Sequence, residues 1–371
     1  MSKHLHIVTH DVPWPADFGG VVDLYYKLKW LHAFGAKIHL HCFVKNRPPQ
    51  EELNKYCDTV HYYERKKAGI SFSLPYIVSS RISNELITNL QKDEYPILLE
   101  GIHVSYLLHR DLFPHRKIFL RLHNVEFKYY ERLAGHESNL LKKIYFKNEA
   151  RLLKKYERAI ANKAPIWAVS SADVELYQTE FAAKYIHFLP VFLPWEDVQI
   201  RPGRGEYCLY QGNLSVNENE KAALWLIEDV FSRNSIPFTI AGKSPSGKIK
   251  KAAAPYPHIH ISEDPSDQNM QELIAGTQVN ILPSFNSTGV KLKLLNALFN
   301  GRWCLVNLAG CAGSGVNDLC TIAETAGEFN EQLKELYDAP FPEKEMQRRD
   351  AALKNLYHNE ENARRINAWI W

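Results

Sequence analysis

Ser287-Thr288-Gly289-Val290-Lys291-Leu292-Lys293-Leu294-Leu295-Asn296-Ala297-Leu298-Phe299-Asn300-Gly301-Arg302-Trp303-Cys304-Leu305-Val306-Asn307 changes its pattern three times. Small polar residues open it. Apolar residues then recur at helical spacing from Leu292 to Phe299. Asn300-Gly301 is a helix breaker, and Trp303 to Val306 is a strand-like run. Upstream, Val279 to Leu282 is a second apolar run, closed by Pro283. The order strand, loop, helix, glycine stop, strand predicts one βαβ unit. Its loop lies at the carboxyl end of the first strand, where open α/β sheets bind ligands. The first helical turn carries Lys291 and Lys293. Free backbone N–H groups and two ammonium groups at one helix start suit a phosphate.

Working outward, the same alternation fills the chain. Strands are expected at Leu5–Thr9, Lys37–Val44, Thr59–Tyr62, Ile97–Leu99, Lys117–Leu122, Ile166–Val169 and Ile186–Leu189, with helices between them. In Lys37–Val44 the alternation of Ile38, Leu40 and Cys42 with Lys37, His39 and His41 predicts one wet face. His258 and His260 read the same way. A Pro- and Gly-rich stretch from Phe188 to Gly205 is the best linker. Strands then restart at Tyr207–Tyr210, Phe238–Ala241 and His258–Ile261, with helices at Lys221–Phe231 and Met270–Ala275. Strands separated by helices mean parallel sheets covered on both faces. The chain has 371 residues, which suits two domains better than one core.

Composition excludes several classes. Net charge is +3 and 23% of residues are charged, which is ordinary for a globular protein and argues against a nucleic-acid role. No apolar stretch approaches the roughly 20 residues of a membrane-spanning helix. Met1-Ser-Lys-His leads straight into a strand pattern, so no secretory leader is expected. The six cysteines form no C-x-x-C pair, and three lie in apolar runs. That reads as buried, reduced thiols in a cytoplasmic protein.

Several loops carry the residue types of a ligand site. Asp17-Phe18-Gly19-Gly20 lies between the first strand and the first helix, where adjacent glycines let backbone N–H groups approach a diphosphate. Arg121-Leu-His123-Asn124-Val-Glu126 follows a central strand. An imidazole at His123 both donates and accepts near neutral pH. Asn124 also suits a helix N-cap, with Glu126 in the first turn. Gly212-Asn213 and Gly242-Lys243 follow the first two strands of the second half. From Lys142 to Lys163 eight cations face only Glu149 and Glu157, around an apolar stripe of Leu141, Tyr145, Leu152, Tyr156 and Ile160. Such a helix either packs its stripe on the domain or docks on anionic lipid.

These segments resemble the retaining GT-B glycosyltransferases, family 4 in particular. Its members often read Gly-x-Lys-x-Lys-x-x-Glu-Ala in the donor loop. Here Gly289, Lys291, Lys293 and Ala297 match, Asn296 replaces the Glu, and Thr288 replaces its partner Glu. His123-Asn124-Val-Glu126, with Tyr129, Tyr130 and Leu133, resembles the family's His-Asn-x-Glu segment. The resemblance implies a GT-B α/β fold: two Rossmann-like domains with parallel sheets facing a central cleft. Residues 1–195 would form the acceptor-side domain and 204–350 the donor domain. Residues 351–371 would cross back to the first domain and bury Trp369 and Trp371. It implies transfer of a hexose from a nucleoside-diphosphate sugar to a glycan or lipid-linked acceptor of a bacterial surface polysaccharide, at the inner face of the cytoplasmic membrane. His123 and Glu126 would be catalytic. Gly19, Gly20, Gly212, Asn213, Lys243, Ser287, Thr288, Gly289, Val290, Lys291, Lys293 and Asn296 would hold the donor. No cofactor and no metal are expected, because no Asp-x-Asp pair stands in a suitable loop. The Asn296 departure keeps open an inactive GT-B protein that binds nucleotide or glycan and supports a partner enzyme.

Overall fold

The computed structural model describes residues 2–17, 19–66 and 73–371, and of His136 only the backbone. Phe18 of the first glycine loop lies outside the described residues. The chain divides into two compact units, Met1–Pro194 with Tyr357–Trp371, and Trp195–Leu356.

The first unit holds β1 (Lys3–Thr9), β2 (Ala36–Val44), β3 (Thr59–Glu64), β4 (Ile97–Glu100), β5 (Ile118–Leu122), β6 (Ile166–Ala168) and β7 (Ile186–Phe188). They form a parallel sheet in the order β3-β2-β1-β4-β5-β6-β7. Every residue of β4 and β5 is buried, as a central parallel strand with both faces covered requires. Leu99 and Leu120 join Val8 and Phe43 on one face. Leu98 and Phe119 join Leu5 and Ile7 on the other. The last helix, Asn359–Ile370, adds Ala363, Ile366 and Ile370 to this second face. Trp369 stacks on Trp167, with ring centroids 5.2 Å apart. Trp371 does not follow it. It lies past the helix end and stays 39% exposed.

The second unit holds β8 (Cys208–Gln211), β9 (Phe238–Gly242), β10 (Ile259–Glu263), β11 (Val279–Ile281), β12 (Trp303–Val306) and β13 (Thr321–Ile322). Their order is β10-β9-β8-β11-β12-β13, again parallel. The helix expected at Lys221–Phe231 begins earlier, at Asn217, where Glu218 and Glu220 occupy a first turn that favours acids. It closes through a π turn, Leu226–Val230, and a 3-10 turn, Phe231–Arg233.

The wet face expected on β2 is a correction. Lys37 is exposed and His39 half-buried, but His41 is only 1% exposed. The cause is a hydrogen-bond chain that lets imidazoles be buried. Asp93 accepts from His6 Nε2 at 3.0 Å, which leaves His6 Nδ1 an acceptor for His41 Nε2 at 2.8 Å. His41 Nδ1 then accepts from the Tyr63 hydroxyl at 2.8 Å, and Asn89 Nδ2 donates to that hydroxyl at 2.9 Å. His258 is half-buried on the Phe231 carbonyl, while His260 is exposed. All six cysteines are free, and only Cys320 is not fully buried.

Candidate functional site

Strand order reverses between β1 and β4 in the first unit and between β8 and β11 in the second. In open α/β sheets, ligands bind outside the carboxyl ends of the strands at such a point.

In the first unit three histidines meet there. His10 follows β1, His103 lies three residues past β4, and His123 follows β5. His10 stacks on His103 with centroids 4.7 Å apart, and His123 is 6.2 Å from His10. Gly101 permits this. Its φ is +92°, and a Cβ there would lie 3.2 Å from His103 Nδ1 and 3.7 Å from His10 Nδ1. His123 Nε2 is 3.0 Å from Glu100 Oε2, and its Nδ1 is 3.8 Å from Asp23 Oδ2. Glu100 therefore fixes Nε2 as the donor.

Beneath His123 lies a buried ionic lattice. Lys27 Nζ contacts Asp23 at 3.0 Å and Glu100 at 2.8 Å. Arg121 grips both oxygens of Asp23. Burial alone would raise both acids, but Arg121, Lys27 and His123 hold Asp23 far below the usual range, and Lys27 with His123 depresses Glu100. Among the described residues, Asp23, Glu100 and His123 are the trio that metal-ligand spacing selects. An ammonium and a guanidinium already neutralise both carboxylates, so the donor set does not fit a divalent cation.

Glu126 does not join His123. It is buried in the first turn of the helix Glu126–His136, and its electrostatic neighbours are Asp173 and Arg81. Burial and then Asp173 push its carboxyl up to about 7. Glu157 beside it is pushed up to about 8, chiefly by burial. It accepts from the Phe127 N–H and the Tyr177 hydroxyl. The N-cap reading of Asn124 is also corrected. Val125 occupies the N-cap, no side chain bonds there, and Asn124 Oδ1 is buried without a hydrogen-bond partner. A buried acceptor left open beside His123 marks a ligand or water position. Gly19 and Gly20 open the 15-residue helix Gly19–Ala33, and a Cβ on Gly19 would meet nothing within 4 Å.

In the second unit the loop after β11 is prebuilt. Asn286 Oδ1 accepts from the Thr288 N–H and hydroxyl, both at 2.8 Å. Asn286 Nδ2 donates to Glu218, and Ser284 closes the turn through its hydroxyl. Gly289 has φ +64°, and Lys291 is the N-cap of the helix Leu292–Asn300. Lys291 Nζ folds back on the Thr288 carbonyl at 2.6 Å and the Gly289 carbonyl at 3.1 Å. Ser287 is exposed, and Val290 is half-buried.

Lys293 turns inward to the loop after β8. Its Nζ is 3.1 Å from the Tyr210 hydroxyl and 3.0 Å from Asn219 Oδ1. Asn219 in turn packs 3.4 Å from the Cβ position of Gly212. Burial, then Lys291, pushes the Lys293 amine down to about 7. Asn213 braces the same turn through Ser215. Gly242 is obligatory, since a Cβ would lie 1.7 Å from the Gly212 carbonyl oxygen. Lys243 is exposed, and its carbonyl holds Leu214. Asn296 is buried, and its Oδ1 accepts from Asn300 Nδ2 at 2.8 Å.

Asp23, Lys27, Glu100, His10, His103, Arg81, Glu218 and Asn219 were not legible as site residues. The available signals were charges in apolar company: Asp23 and Lys27 four residues apart in one helix, and Glu100 ending the run Ile97-Leu98-Leu99.

No protein-family model matches the chain. An uncharacterised 44.6 kDa protein in the cps region of Klebsiella pneumoniae is 28% identical over 332 residues, covering 84% of each chain. TarM of S. aureus, solved with fondaparinux, α-GlcNAc-glycerol and UDP, aligns with a TM-score of 0.65 at 9% identity over 99% of both chains. HepE of Anabaena, solved with UDP and glucose, gives 0.65 at 10% identity and the same coverage. WaaG, a glycosyltransferase involved in lipopolysaccharide biosynthesis, gives 0.64 at 12%, also over 99% of both chains. At these identities the likeness establishes the fold: two Rossmann-like units with parallel sheets of seven and six strands, the GT-B fold.

Proposed function

We propose that the chain is a retaining glycosyltransferase. It moves a hexose from a nucleoside-diphosphate sugar to a glycan or lipid-linked acceptor in bacterial surface-polysaccharide synthesis. One observation carries the reading: the prebuilt loop Ser284–Lys291 at the switch point of the second sheet, with Gly289 in the left-handed region and Lys291 capping a helix start. Breaking the donor's glycosidic bond leaves an oxocarbenium-like sugar and a diphosphate dianion, so stabilising the leaving group is the main task. The N–H groups at the start of the helix Leu292–Asn300, its dipole and the Lys291 ammonium supply this without a metal, with Lys293 braced behind them on Tyr210 and Asn219. His123, held by Glu100, is the residue of the first unit that this reading assigns to the transferred sugar or the acceptor proton. UDP in the TarM and HepE structures and the cps-region relative support donor class and pathway.

The test is binding of UDP-, GDP-, ADP- and CMP-sugars to the purified protein, with Lys291→Ala in parallel. One nucleotide class binds, and Lys291→Ala weakens it about 30-fold, the scale of one charge-assisted phosphate contact. Equal affinity in the variant would overturn the assignment. A second reading, donor binding without turnover, is favoured by Asn296, whose position offers an amide already engaged by Asn300 and no carboxylate. Bound donor that is never consumed with any glycan acceptor would select it.

The helix Leu140–Ile160 is the proposed membrane contact. Its two acids, Glu149 and Glu157, are buried, so its outer face carries cations alone. Leu140, Leu141 and Ile144 at its start are 70, 78 and 56% exposed. No described helix is long and apolar enough to cross a membrane. Replacing Lys143 and Lys147 by Gln lowers partitioning onto anionic-lipid vesicles about 30-fold, at ~1 kcal/mol per surface cation. Vesicle flotation with and without anionic lipid reads it, and unchanged partitioning removes the contact.

A further inference from the structure

The charges at the carboxyl ends of the first sheet fall into two groups of opposite character. Around Asp23 they balance: Lys27 and Arg121 against Asp23 and Glu100, every side chain paired. Past the ends of β2 and β3 they do not. Among the described residues, a pocket of about 280 Å³ is lined by Val44, Lys45, Glu64, Arg65, Lys66 and Tyr76, three cations against one carboxylate. Arg65 Nε is buried there without a hydrogen-bond partner.

Arg81 is an electrostatic neighbour of Arg65. It is 6% exposed and held by carbonyl oxygens, His10 at 3.1 Å and Ile77 at 2.7 Å. No carboxylate pairs with it among the described residues. Burial and then the nearby Arg65 push its guanidinium down to about 9. His103 feels both arginines. A guanidinium with an open buried donor, in a pocket where cations outnumber carboxylates, is completed by an anion. The position also connects to the histidines: Arg81 bonds the His10 backbone, and His10 stacks on His103 and faces His123.

We propose that this pocket binds a compact anionic group, phosphoryl or carboxylate, carried by the sugar acceptor. Arg65 is the principal ligand, and Lys45 and Lys66 are flanking cations. That the anion belongs to an acceptor rests on the transferase reading; that an anion binds here does not. Glu64 repels an anion, and Lys45, Arg65 and Lys66 outweigh it.

Calorimetric titration of the full chain at constant ionic strength tests this with glucose 6-phosphate, glucuronate and glucose as probes. The expected result is that one anionic sugar binds at least about tenfold tighter than glucose, and that Arg65→Met removes the preference. Which anion binds decides between phosphoryl and carboxylate. Lys66→Met, at an exposed position, is the second variant and weakens the same probe even if Arg65→Met folds poorly. Lys291→Ala leaves this binding unchanged. Equal binding of glucose and both anions, or equal anion binding in wild type and both variants, overturns the proposal. Loss in Lys291→Ala alone also overturns it by placing the anion at the donor loop. UDP is titrated in parallel. Anion binding through Arg65 with no UDP binding would sink the transferase reading and leave the pocket standing, whereas UDP binding without an anion preference would do the reverse.

Discussion

Asp23→Asn lowers the melting temperature of the first unit by about 10 °C, from a loss of about 3–5 kcal/mol. The substitution is isosteric, so no cavity contributes. Asp23 Oδ1 accepts from Arg121 Nη2 and the Phe192 N–H, both at 2.8 Å, and Oδ2 from Arg121 Nε and Lys27 Nζ, both at 3.0 Å. An amide presents one oxygen and one NH2 to four donors, so two N–H groups would oppose its own. It also removes one of two negative charges facing Lys27 and Arg121, whose side chains are fully buried. The lattice ties four segments together: the helix Gly19–Ala33 through Asp23 and Lys27, β4 through Glu100, β5 through Arg121, and the outgoing chain through the Leu189 and Pro190 carbonyls that accept from Arg121. Adding Lys27→Met to Asp23→Asn restores charge balance and recovers part of the loss, which a packing defect would not allow. Because the groups are buried, the wild-type contribution changes little with added salt. Calorimetric melting of wild type and both variants at low and high salt checks this. A shift under about 2 °C would show that the lattice is solvated.

The βαβ unit at 279–306 was readable because each of its signals is local: a short, largely apolar run closed by Pro283, a helical period, Asn300-Gly301, another apolar run. The strand Trp303–Val306 falls where the run stands. Both glycine turns were readable for the same reason, although the need for Gly242 comes from the Gly212 carbonyl thirty residues away. What local pattern does not hold is pairing across the sheet. His41 alternates with apolar neighbours just as an exposed residue would, and only His6, Asp93 and Tyr63 from three other segments make its burial possible. Glu100 looked like the end of a strand, although it orients His123. Lys293 was expected beside Lys291 as a second ammonium for the donor phosphate, yet it turns inward to Tyr210 and Asn219. β13 has two residues and leaves no period to detect.

Stability of the first unit passes through a maximum near pH 6.5 and falls on both sides. On the acid side the histidines decide. Burial holds His6 down to about 4 and His10 to about 3, with His41 and His103 lower still than their ordinary range. Below their ordinary value of about 6.5 the unfolded chain takes up protons that the folded chain refuses, so stability is lost as pH falls from 6.5 toward 4. On the alkaline side the glutamates decide. Glu126 is raised to about 7 and Glu157 to about 8. Between their ordinary value and those, the folded unit holds protons that the unfolded chain releases, so stability falls as pH rises. The two sets oppose each other between about pH 4.5 and 6.5, where the lowered histidines, joined by His39, His61 and His109, outnumber the raised glutamates, joined by Glu149, so stability rises with pH. Above 6.5 the histidine contribution saturates, and the glutamates alone set the slope until about pH 8. Lys293 titrates in the second unit, so the probe must be specific: hydrogen exchange at the buried amides of β1, β4 and β5 from pH 5 to 8.5, corrected for intrinsic rates. His41→Gln makes the acid limb shallower, since it removes one proton from the difference. Glu157→Gln flattens the alkaline limb and steepens the acid limb, because it removes one proton that opposes the histidines there, and a glutamine oxygen can still accept from the Phe127 N–H without titrating. A profile that rises steadily to pH 8.5 would mean that both glutamates are ionised in the folded unit, with Arg81 compensating Glu126 against the effect of burial.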